Sequence, residues 1–380
     1  MKILFVVNNL YATANGLSAS ARRTVRYLKD AGMDVRVLSG RNWEDDSLQP
    51  EYVLPDLHFP IFNSLIASHG YHFAKADEKV FLEALDWCDL VHIEEPFGLQ
   101  YRFIKYVRKS GKPMTGTYHL HPENMFASIH LHNWRFLNHF CLHVWAKHIF
   151  HHCKVVTCPT ENAKERLERF GPGVPLRVIS NGVEPDKGFH TGHGGIDPII
   201  ICCIGRLAVE KNQKTLIRAM KYSKYAHRIE IHFAGRGPQN KRYIRMAERA
   251  YRKGTLKYKP VFEFLDKEGL KALASKSDLY IHCATIEVEG LSCIEALRQG
   301  VVPVIADAYR SGTTQFALDE RSIYRGPKNA RALAKKIDWW LDHPKEWKEM
   351  SQKYIDFSQA FDIHRSINEL IKMFKEVAGE

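Results

Sequence analysis

The stretch "DLYIHCATIEVEGLSCIEALRQGVVPVIAD", from Asp278 to Asp307, contains the strand–helix–strand pattern that decides the fold class. Its two ends, "DLYIHCA" and "VVPVIAD", are short continuous apolar runs, which predict buried strands. The middle predicts a helix that begins at Gly290 and ends at Gly300. Buried strands spaced by helices are typical of a parallel sheet covered on both faces, so the stretch predicts an α/β fold.

The same alternation runs through the rest of the chain. A segment from Glu184 to Pro198, rich in Gly, Pro, His and Asp, interrupts the pattern and is interpreted as a linker. The prediction is therefore two Rossmann-like parallel-sheet domains, 1–184 and 198–356, which are joined by a linker at 185–197 and face a cleft. Apolar strands are predicted at "KILFVV", "DVRVLSG", "LVHIEE", "PMTGTYH", "KVVTCPT" and "LRVISNG" in the first domain, and at "IIICCIGR", "IEIHFAGRG" and "PVFEFL" in the second.

The composition is that of a globular protein, since 45% of the 380 residues are hydrophobic and 26% are charged. No run of about 18 apolar residues occurs, so no transmembrane helix is expected. The N-terminal "MKILFVVNNL" has too short an apolar run for a signal peptide, and a cytoplasmic location is expected. The eight cysteines include no Cys-x-x-Cys pair, which favours reduced, buried thiols over disulfides or a zinc site.

The formal net charge of +12 suggests an anionic partner. Eight Lys and Arg residues lie between Arg102 and Lys154, against the single acidic residue Glu123. Sixteen more lie between Arg206 and Lys259, against three Glu. The partner could be a nucleic acid, an anionic lipid or a phosphorylated substrate, or the charge could serve solubility alone. No RNA-recognition, helix-turn-helix or zinc-finger pattern occurs, so no nucleic acid is expected.

Carboxylates are unexpected in the apolar segment around Gly290. Glu287 is predicted in the loop past the carboxyl end of a strand, and Glu295 on the second turn of the following helix. The free N–H groups near Gly290 and Leu291 form an anion site at the helix N-terminus. Carboxylates beside such a site would repel a phosphate, so they are expected to accept hydrogen bonds from sugar and ribose hydroxyls. The alternative is that Glu287 and Glu289 stabilise the helix dipole.

Glu287 and Glu295 match the Glu-x7-Glu motif of retaining glycosyltransferases of family four, the sucrose-synthase-like group. The segment "GRLAVEKN" resembles that family's Gly-Arg…Glu-Lys-Asn element, and "FAGRGP" and "VISNGVE" resemble two more of its segments. The resemblance implies a GT-B fold, with a C-terminal helix at 357–380 that packs back on the first domain. It implies that Arg206 and Lys211 bind the diphosphate of a nucleotide sugar, that Glu295 binds the ribose, and that Glu287 contacts the donor sugar.

No Asp-x-Asp metal motif occurs, so neither a metal ion nor any other cofactor is expected.

The first domain is expected to bind the acceptor. By resemblance, Gly16 permits close backbone approach to the donor phosphate, and His119, which follows a strand, is the catalytic histidine of the site. His121 and Glu123 are weaker candidates, and a lone histidine is more often structural. The stretch from His119 to Lys154 holds nine of the twenty histidines, interleaved with Phe and Trp. It suggests a membrane surface near Trp134 and Trp145, or buried packing. A metal site at His139 and His143 is disfavoured.

The run "GVVPVIADAYRSGTTQFALDERSIY" resembles the glucosyltransferases that act on diacylglycerol. That resemblance implies transfer of a hexose from a UDP-glucose-like donor to a membrane-associated acceptor, with retention, by a protein peripheral on the inner face of the cell membrane. Synthesis of capsule, exopolysaccharide or lipid-linked glycan is the alternative. A noncatalytic sugar-nucleotide-binding protein is the alternative from another class, and it would need neither Glu287 nor His119.

Overall fold

The computed structural model describes residues 1–12, 16–57, 73–127, 131–186, 192 and 196–380. The chain divides into two compact units. The first unit comprises Met1–Pro122, Trp134–Asn181 and Ile363–Glu380, and the second comprises Glu123–Asn133 and Gly182–Asp362. The sequence did not indicate that Glu123–Asn133 would group with the second unit. Most of the linker expected at 185–197 lies outside the described residues.

The first unit is built on a parallel sheet of seven strands in the order β3-β2-β1-β4-β5-β6-β7. The three-residue β3 was missed from the sequence because it is too short for an apolar pattern to stand out. The strands are β1 Lys2–Val6, β2 Asp34–Gly40, β3 Tyr52–Leu54, β4 Leu90–Ile93, β5 Met114–Thr117, β6 Val155–Cys158 and β7 Leu176–Val178.

Helices follow most of these strands and bury one face against the sheet. Asp77 caps one of them, because its carboxylate accepts hydrogen bonds from the backbone N–H groups of Lys79 and Val80. Thr160 caps another through the backbone N–H of Ala163. The described helices of the first unit are Gly16–Asp30, Glu78–Trp87, Gly98–Ser110, Arg135–His148, Glu161–Glu168 and Ile363–Ala378, and Pro122–Ala127 begins at its boundary.

The second unit has a parallel sheet of six strands in the order β10-β9-β8-β11-β13-β15, and a small parallel pair formed by β12 and β14. Its strands are β8 Ile199–Ile204, β9 Ile229–Ala234, β10 Val261–Glu263, β11 Leu279–His282, β12 Ile286–Glu287, β13 Val302–Asp307, β14 Arg310–Ser311 and β15 Ile323–Arg325. Its α-helices are Lys214–Ala219, Asn240–Arg252, Lys267–Lys276, Leu291–Arg298, Ala330–Asp342 and Pro344–Ser358.

The C-terminal segment differs from the single helix expected over 357–380. One helix ends at Ser358, a 3-10 turn follows at Gln359–Phe361, and the last helix begins only at Ile363. Asp362 between them is extended, and its carboxylate lies 3.3 Å from the guanidinium of the buried Arg298. The last helix packs in the core of the first unit, where its apolar side chains join those of β1 and β2.

Every cysteine except Cys141 is buried. Burial raises the pKa of Cys202 and of Cys283 to about 12. Both thiols are therefore protonated at neutral pH and serve as apolar core groups.

Candidate active site

The turn before the helix Leu291–Arg298 requires a glycine. Gly290 has a φ of 88°, and a Cβ at this position would lie 2.7 Å from the Thr313 hydroxyl. Both the backbone conformation and the close approach exclude a larger side chain. The helix therefore begins directly after the tight turn, with Leu291 as its first residue. Its first N–H groups have no partner within the helix and are suited to bind an anion.

Glu287 and Lys211 form an ion pair in the second unit. Burial favours the protonated form of Glu287, but the positive charge of Lys211 outweighs it, and the pKa of this carboxyl is lowered. His282 Nε2 lies 3.9 Å from the same carboxylate. Burial lowers the pKa of His282 to about 4, so that its imidazole is neutral at pH 7. Lys211 is therefore the main charge that holds Glu287 ionised, with a smaller contribution from Arg206.

Arg206 lies two residues after β8, at the carboxyl edge of the sheet. Its Nη2 donates to Oε1 of the buried Glu210 at 2.6 Å. Glu210 lies inside the "GRLAVEKN" element and was not among the predicted site residues. The ion pair fixes the guanidinium, and the partly exposed Arg206 still faces solvent. Arg206 and Lys211 thus place two cations just beyond β8.

The loops after β8 and β9 pack against each other without room for side chains. A Cβ at Gly235, whose φ is 148°, would lie 2.2 Å from the carbonyl oxygen of Gly205. The backbone N–H of Leu207 donates to Arg236 O at 3.0 Å, and that of Gln239 donates to Leu207 O at 2.8 Å. These contacts hold the loop that carries Arg206. Glu295, the remaining candidate, lies exposed on the second turn of its helix.

In the first unit, His119 follows β5 and Glu94 follows the neighbouring β4. His119 Nε2 lies 3.0 Å from Glu94 Oε2, and both side chains are buried. His92 Nε2 lies 3.3 Å from the other oxygen of Glu94. Burial alone would lower the pKa of His119, but the negative charge of Glu94 outweighs it and raises that pKa. Burial raises the pKa of Glu94, yet His119 and His92 bring it down to about 2.

Glu94 was not among the site residues predicted from the sequence. Its signal was present, because "LVHIEE" places two carboxylates at the end of a buried strand. The second of them, Glu95, accepts hydrogen bonds from the backbone N–H and the side chain of Asn8 at 2.8 and 2.6 Å. The carboxyl edge of this sheet therefore gathers polar groups from β1, β4 and β5, as expected for an open parallel sheet.

The remaining site residues predicted from the sequence are Gly16, His121 and Glu123. Gly16 is the first residue of its helix, and a Cβ there would meet no atom within 4 Å; Asn15 before it lies outside the described residues. His121 is buried, with Nδ1 at 2.8 Å from the Tyr118 hydroxyl, which makes it a core residue. Glu123 is buried and pairs with Arg310 at 3.5 Å.

In the parts of the chain that the structure describes, no three His, Cys, Asp or Glu side chains are grouped to hold a metal ion.

The two parallel α/β sheets match the fold of GT-B glycosyltransferases. The crystal structure of HepE from Anabaena, solved with UDP, matches with a TM-score of 0.76 at 16% identity, covering 99% of this chain and 100% of that one. Sucrose-phosphate synthase from Thermosynechococcus elongatus matches with a TM-score of 0.75 at 16% identity and covers 99% of both chains.

The family follows from the sequence. Residues 14–187 match the family model described as Glycosyltransferase Family 4, and residues 193–376 match that of Glycosyl transferases group 1. Because the two matches span nearly the whole chain, the protein belongs to the family 4, group 1 glycosyltransferases. An uncharacterised glycosyltransferase of Methanocaldococcus jannaschii is 26% identical over 200 residues, 49% of this chain and 50% of that protein. The chain thus spans about half the length of this curated relative.

Proposed function

We propose that the protein transfers a hexose from a UDP-glucose-like donor to a membrane-associated hydroxyl acceptor such as diacylglycerol, with retention of configuration and without a metal ion. One observation supports this most: Lys211 pairs with Glu287, the positive charge of Arg206 also lowers the pKa of that carboxyl, and a helix begins four residues later at Leu291. A departing nucleoside diphosphate carries negative charge, which two fixed cations and a helix N-terminus are suited to stabilise.

The Lys211–Glu287 ion pair suggests how the donor is bound. The diphosphate oxygens compete with Glu287 for the Lys211 ammonium, and Glu287 then accepts hydrogen bonds from the sugar hydroxyls. The exposed Glu295 accepts from the ribose. The solved complexes of HepE with UDP and with UDP-glucose support a donor of this chemical class.

The Glu94–His119 pair bears on the mechanism. Because Glu94 raises the pKa of His119, the imidazole holds its proton to higher pH than usual and acts as a hydrogen-bond donor rather than as a general base. The acceptor proton then passes to the departing phosphate oxygen. The acceptor oxygen forms its bond to the anomeric carbon on the same face as the breaking carbon–phosphate-oxygen bond, and the configuration is retained.

The acceptor proposal rests on the helix Arg135–His148. Phe136 and Phe140, one turn apart, are 76% and 57% exposed, and Trp134 before them is 56% exposed. No Asp or Glu occurs between residues 124 and 160. Exposed aromatic rings beside basic side chains are suited to an anionic membrane surface. Trp145, which the sequence placed at this surface, is buried at 6% exposure and packs against Phe97.

None of the described helices is long and apolar enough to cross a bilayer.

The donor and the stereochemistry are tested by one reaction. The protein is incubated with UDP-glucose and diacylglycerol vesicles in the presence of a chelator, and the coupling constant at the new anomeric centre is read early by NMR. We expect a retained product, and we expect Arg206→Met/Lys211→Met to abolish turnover. Lys221→Met/Lys276→Met, which removes the same charge from exposed positions, is the matched control. An inverted product, or turnover that the chelator abolishes, contradicts the proposal.

The membrane surface is tested by vesicle sedimentation. Phe136→Ser/Phe140→Ser should weaken binding to anionic vesicles by about tenfold or more, given the apolar area of two rings. Leu82→Ser, at an exposed position of another helix in the same unit, is the control. Binding should also weaken with salt, since exposed charges are screened over about 10 Å at 0.1 M. Equal binding of all three proteins would rule out this surface.

A further inference from the structure

The second unit contains a cavity of about 350 Å³ that the proposed donor site does not use. Its wall includes Asn212, Lys214, Thr285, Tyr309, Arg310 and Lys328, and we name it the Lys214–Lys328 pocket. The described lining includes none of Arg206, Lys211, Glu287 and Glu295. Its size lies within the range of pockets that bind small molecules, roughly 300–1,000 Å³.

The pocket concentrates positive charge that is not neutralised. Among the described residues, neither Lys214 nor Lys328 forms an ion pair, and Asp307 is the one acidic residue in the wall. Burial lowers the pKa of Lys214, and the positive charges of Arg218, Arg242 and Lys328 lower it further. Neighbouring cations repel one another, and a bound anion would stabilise their charged forms.

Arg310 lies in the wall of the pocket, but its charge is already paired within the protein. Its Nε lies 3.5 Å from the buried carboxylate of Glu123, and its Nη1 donates to His132 O at 3.0 Å. These two contacts tie Glu123 and His132 to β14 within the second unit. The two lysines are left as the cations available to a ligand.

Asn212 belongs to the wall of the pocket and is held there by two hydrogen bonds. Asn212 is only 1% exposed, and its Nδ2 donates to Pro327 O at 2.7 Å and to Cys283 O at 3.3 Å. Its Oδ1 accepts no hydrogen bond from any residue that the structure describes. That oxygen is shielded from solvent, so Asn212 serves to hold the wall rather than to contact a ligand. Tyr309, which is 66% exposed, lines the same pocket and adds an aromatic ring to its wall.

We propose that the Lys214–Lys328 pocket binds a small phosphate ester, with its phosphate on the two lysines and its carbon skeleton against Tyr309. A free sugar phosphate and the glycerophosphate headgroup of a lipid share this chemistry. The proposal does not depend on which donor or acceptor the enzyme uses.

Calorimetric titration of the full chain tests the pocket, with glycerol 3-phosphate and glucose 6-phosphate as probes and glycerol and glucose as their uncharged controls. Lys328→Met changes an exposed side chain and should not disturb folding. We expect it to weaken phosphate-ester binding by about tenfold or more, and Lys214→Met/Lys328→Met to abolish binding, because each lost contact is charge-assisted. Lys211→Met should leave this binding unchanged, which separates the pocket from the donor site.

Vesicles that contain phosphatidylglycerol, compared with phosphatidylcholine vesicles, distinguish the two sources of the ligand. Binding of the soluble esters, or of phosphatidylglycerol vesicles alone, supports the proposal if the lysine variants lose it. Lys221→Met/Lys276→Met, which removes the same charge outside the pocket, should have no effect. If this control lost as much binding as the pocket variants, the binding would depend on overall charge and not on the pocket, which would overturn the proposal. The absence of binding by any of these probes would overturn it as well.

Discussion

Replacement of Glu94 by glutamine tests the link between this carboxylate and His119. The side chain keeps its size but loses the charge that lies 3.0 Å from His119 Nε2. The pKa of Glu94 is lowered from 4.5 to about 2. Since a tenfold change in proton affinity corresponds to about 1.4 kcal/mol, the ionised carboxylate gains roughly 3 kcal/mol from its native surroundings. We expect Glu94→Gln to lower the free energy of unfolding by up to this amount. The loss should not exceed it, because the amide retains part of the hydrogen bonding.

The loss should depend on pH in a defined direction. The stabilisation from Glu94 is present above its unfolded pKa of about 4.5 and is lost as pH falls towards 2. That from His119 is complete below 6.5 and is lost as the pH rises through its raised folded pKa. The difference between the wild-type protein and Glu94→Gln should therefore be largest between about pH 4.5 and 6.5, and should shrink on the alkaline side.

Two measurements suit this prediction. Hydrogen exchange of peptides that span β4 and β5 reports local stability, which is appropriate because two units need not unfold together. NMR titration of the His119 ring reports its pKa, which should fall in Glu94→Gln. Glu83→Gln, at an exposed position of the same unit, is the control. An unchanged pKa for His119, together with a loss of stability no larger than that of the control, would refute the reasoning.

Three further predictions concern the second unit. Glu287→Gln should release Lys211 from its ion pair, so steady-state kinetics should show reduced turnover while donor titration shows unchanged or tighter binding; weaker donor binding would contradict this. Glu295→Gln should weaken nucleotide binding by roughly 1.5–3 kcal/mol through a lost charged hydrogen bond, and equal affinity for UDP would disprove a ribose contact. Arg298→Met removes a guanidinium that contacts Glu184 O, Ser358 O and the Asp362 carboxylate. It should destabilise the second unit by roughly 3 kcal/mol in urea unfolding, whereas a change below about 0.5 kcal/mol would show that these contacts add little.

Much of the fold could be read from local pattern. Strands such as Asp34–Gly40 coincide with the predicted run, and the helix Leu291–Arg298 lies between the two glycines that predicted its ends. Buried parallel strands are nearly continuous apolar runs, so they can be predicted from the local sequence without knowledge of the strands they pair with. The short strands Tyr52–Leu54 and Ile323–Arg325 were missed, because three residues that complete a sheet edge have too little pattern of their own.

The C-terminal segment shows where local pattern is insufficient. Apolar residues continue at helical spacing from Phe357 to Phe374, and this spacing does not predict that the helix is interrupted at Asp362. The break depends on partners distant in sequence, since Asp362 pairs with Arg298 and bridges to Val183. Likewise, exposure could not be read from composition: Trp134 and Trp145 have similar surroundings in the sequence, yet the first is exposed and the second is core.

Glu287 was predicted in a loop but lies in the two-residue strand β12. The sequence by itself determined the two α/β units, the positions of Arg206 and Lys211 after β8, and the helix start directly after Gly290. These features follow from residue type and spacing along the chain. Only the tertiary structure decided which charges meet: Lys211 with Glu287, Glu210 with Arg206, and Glu94 with His119. These ion pairs decide the protonation state of each group. Burial shifts a pKa in one direction and a neighbouring opposite charge shifts it in the other. The balance depends on distances between residues that are far apart in the chain.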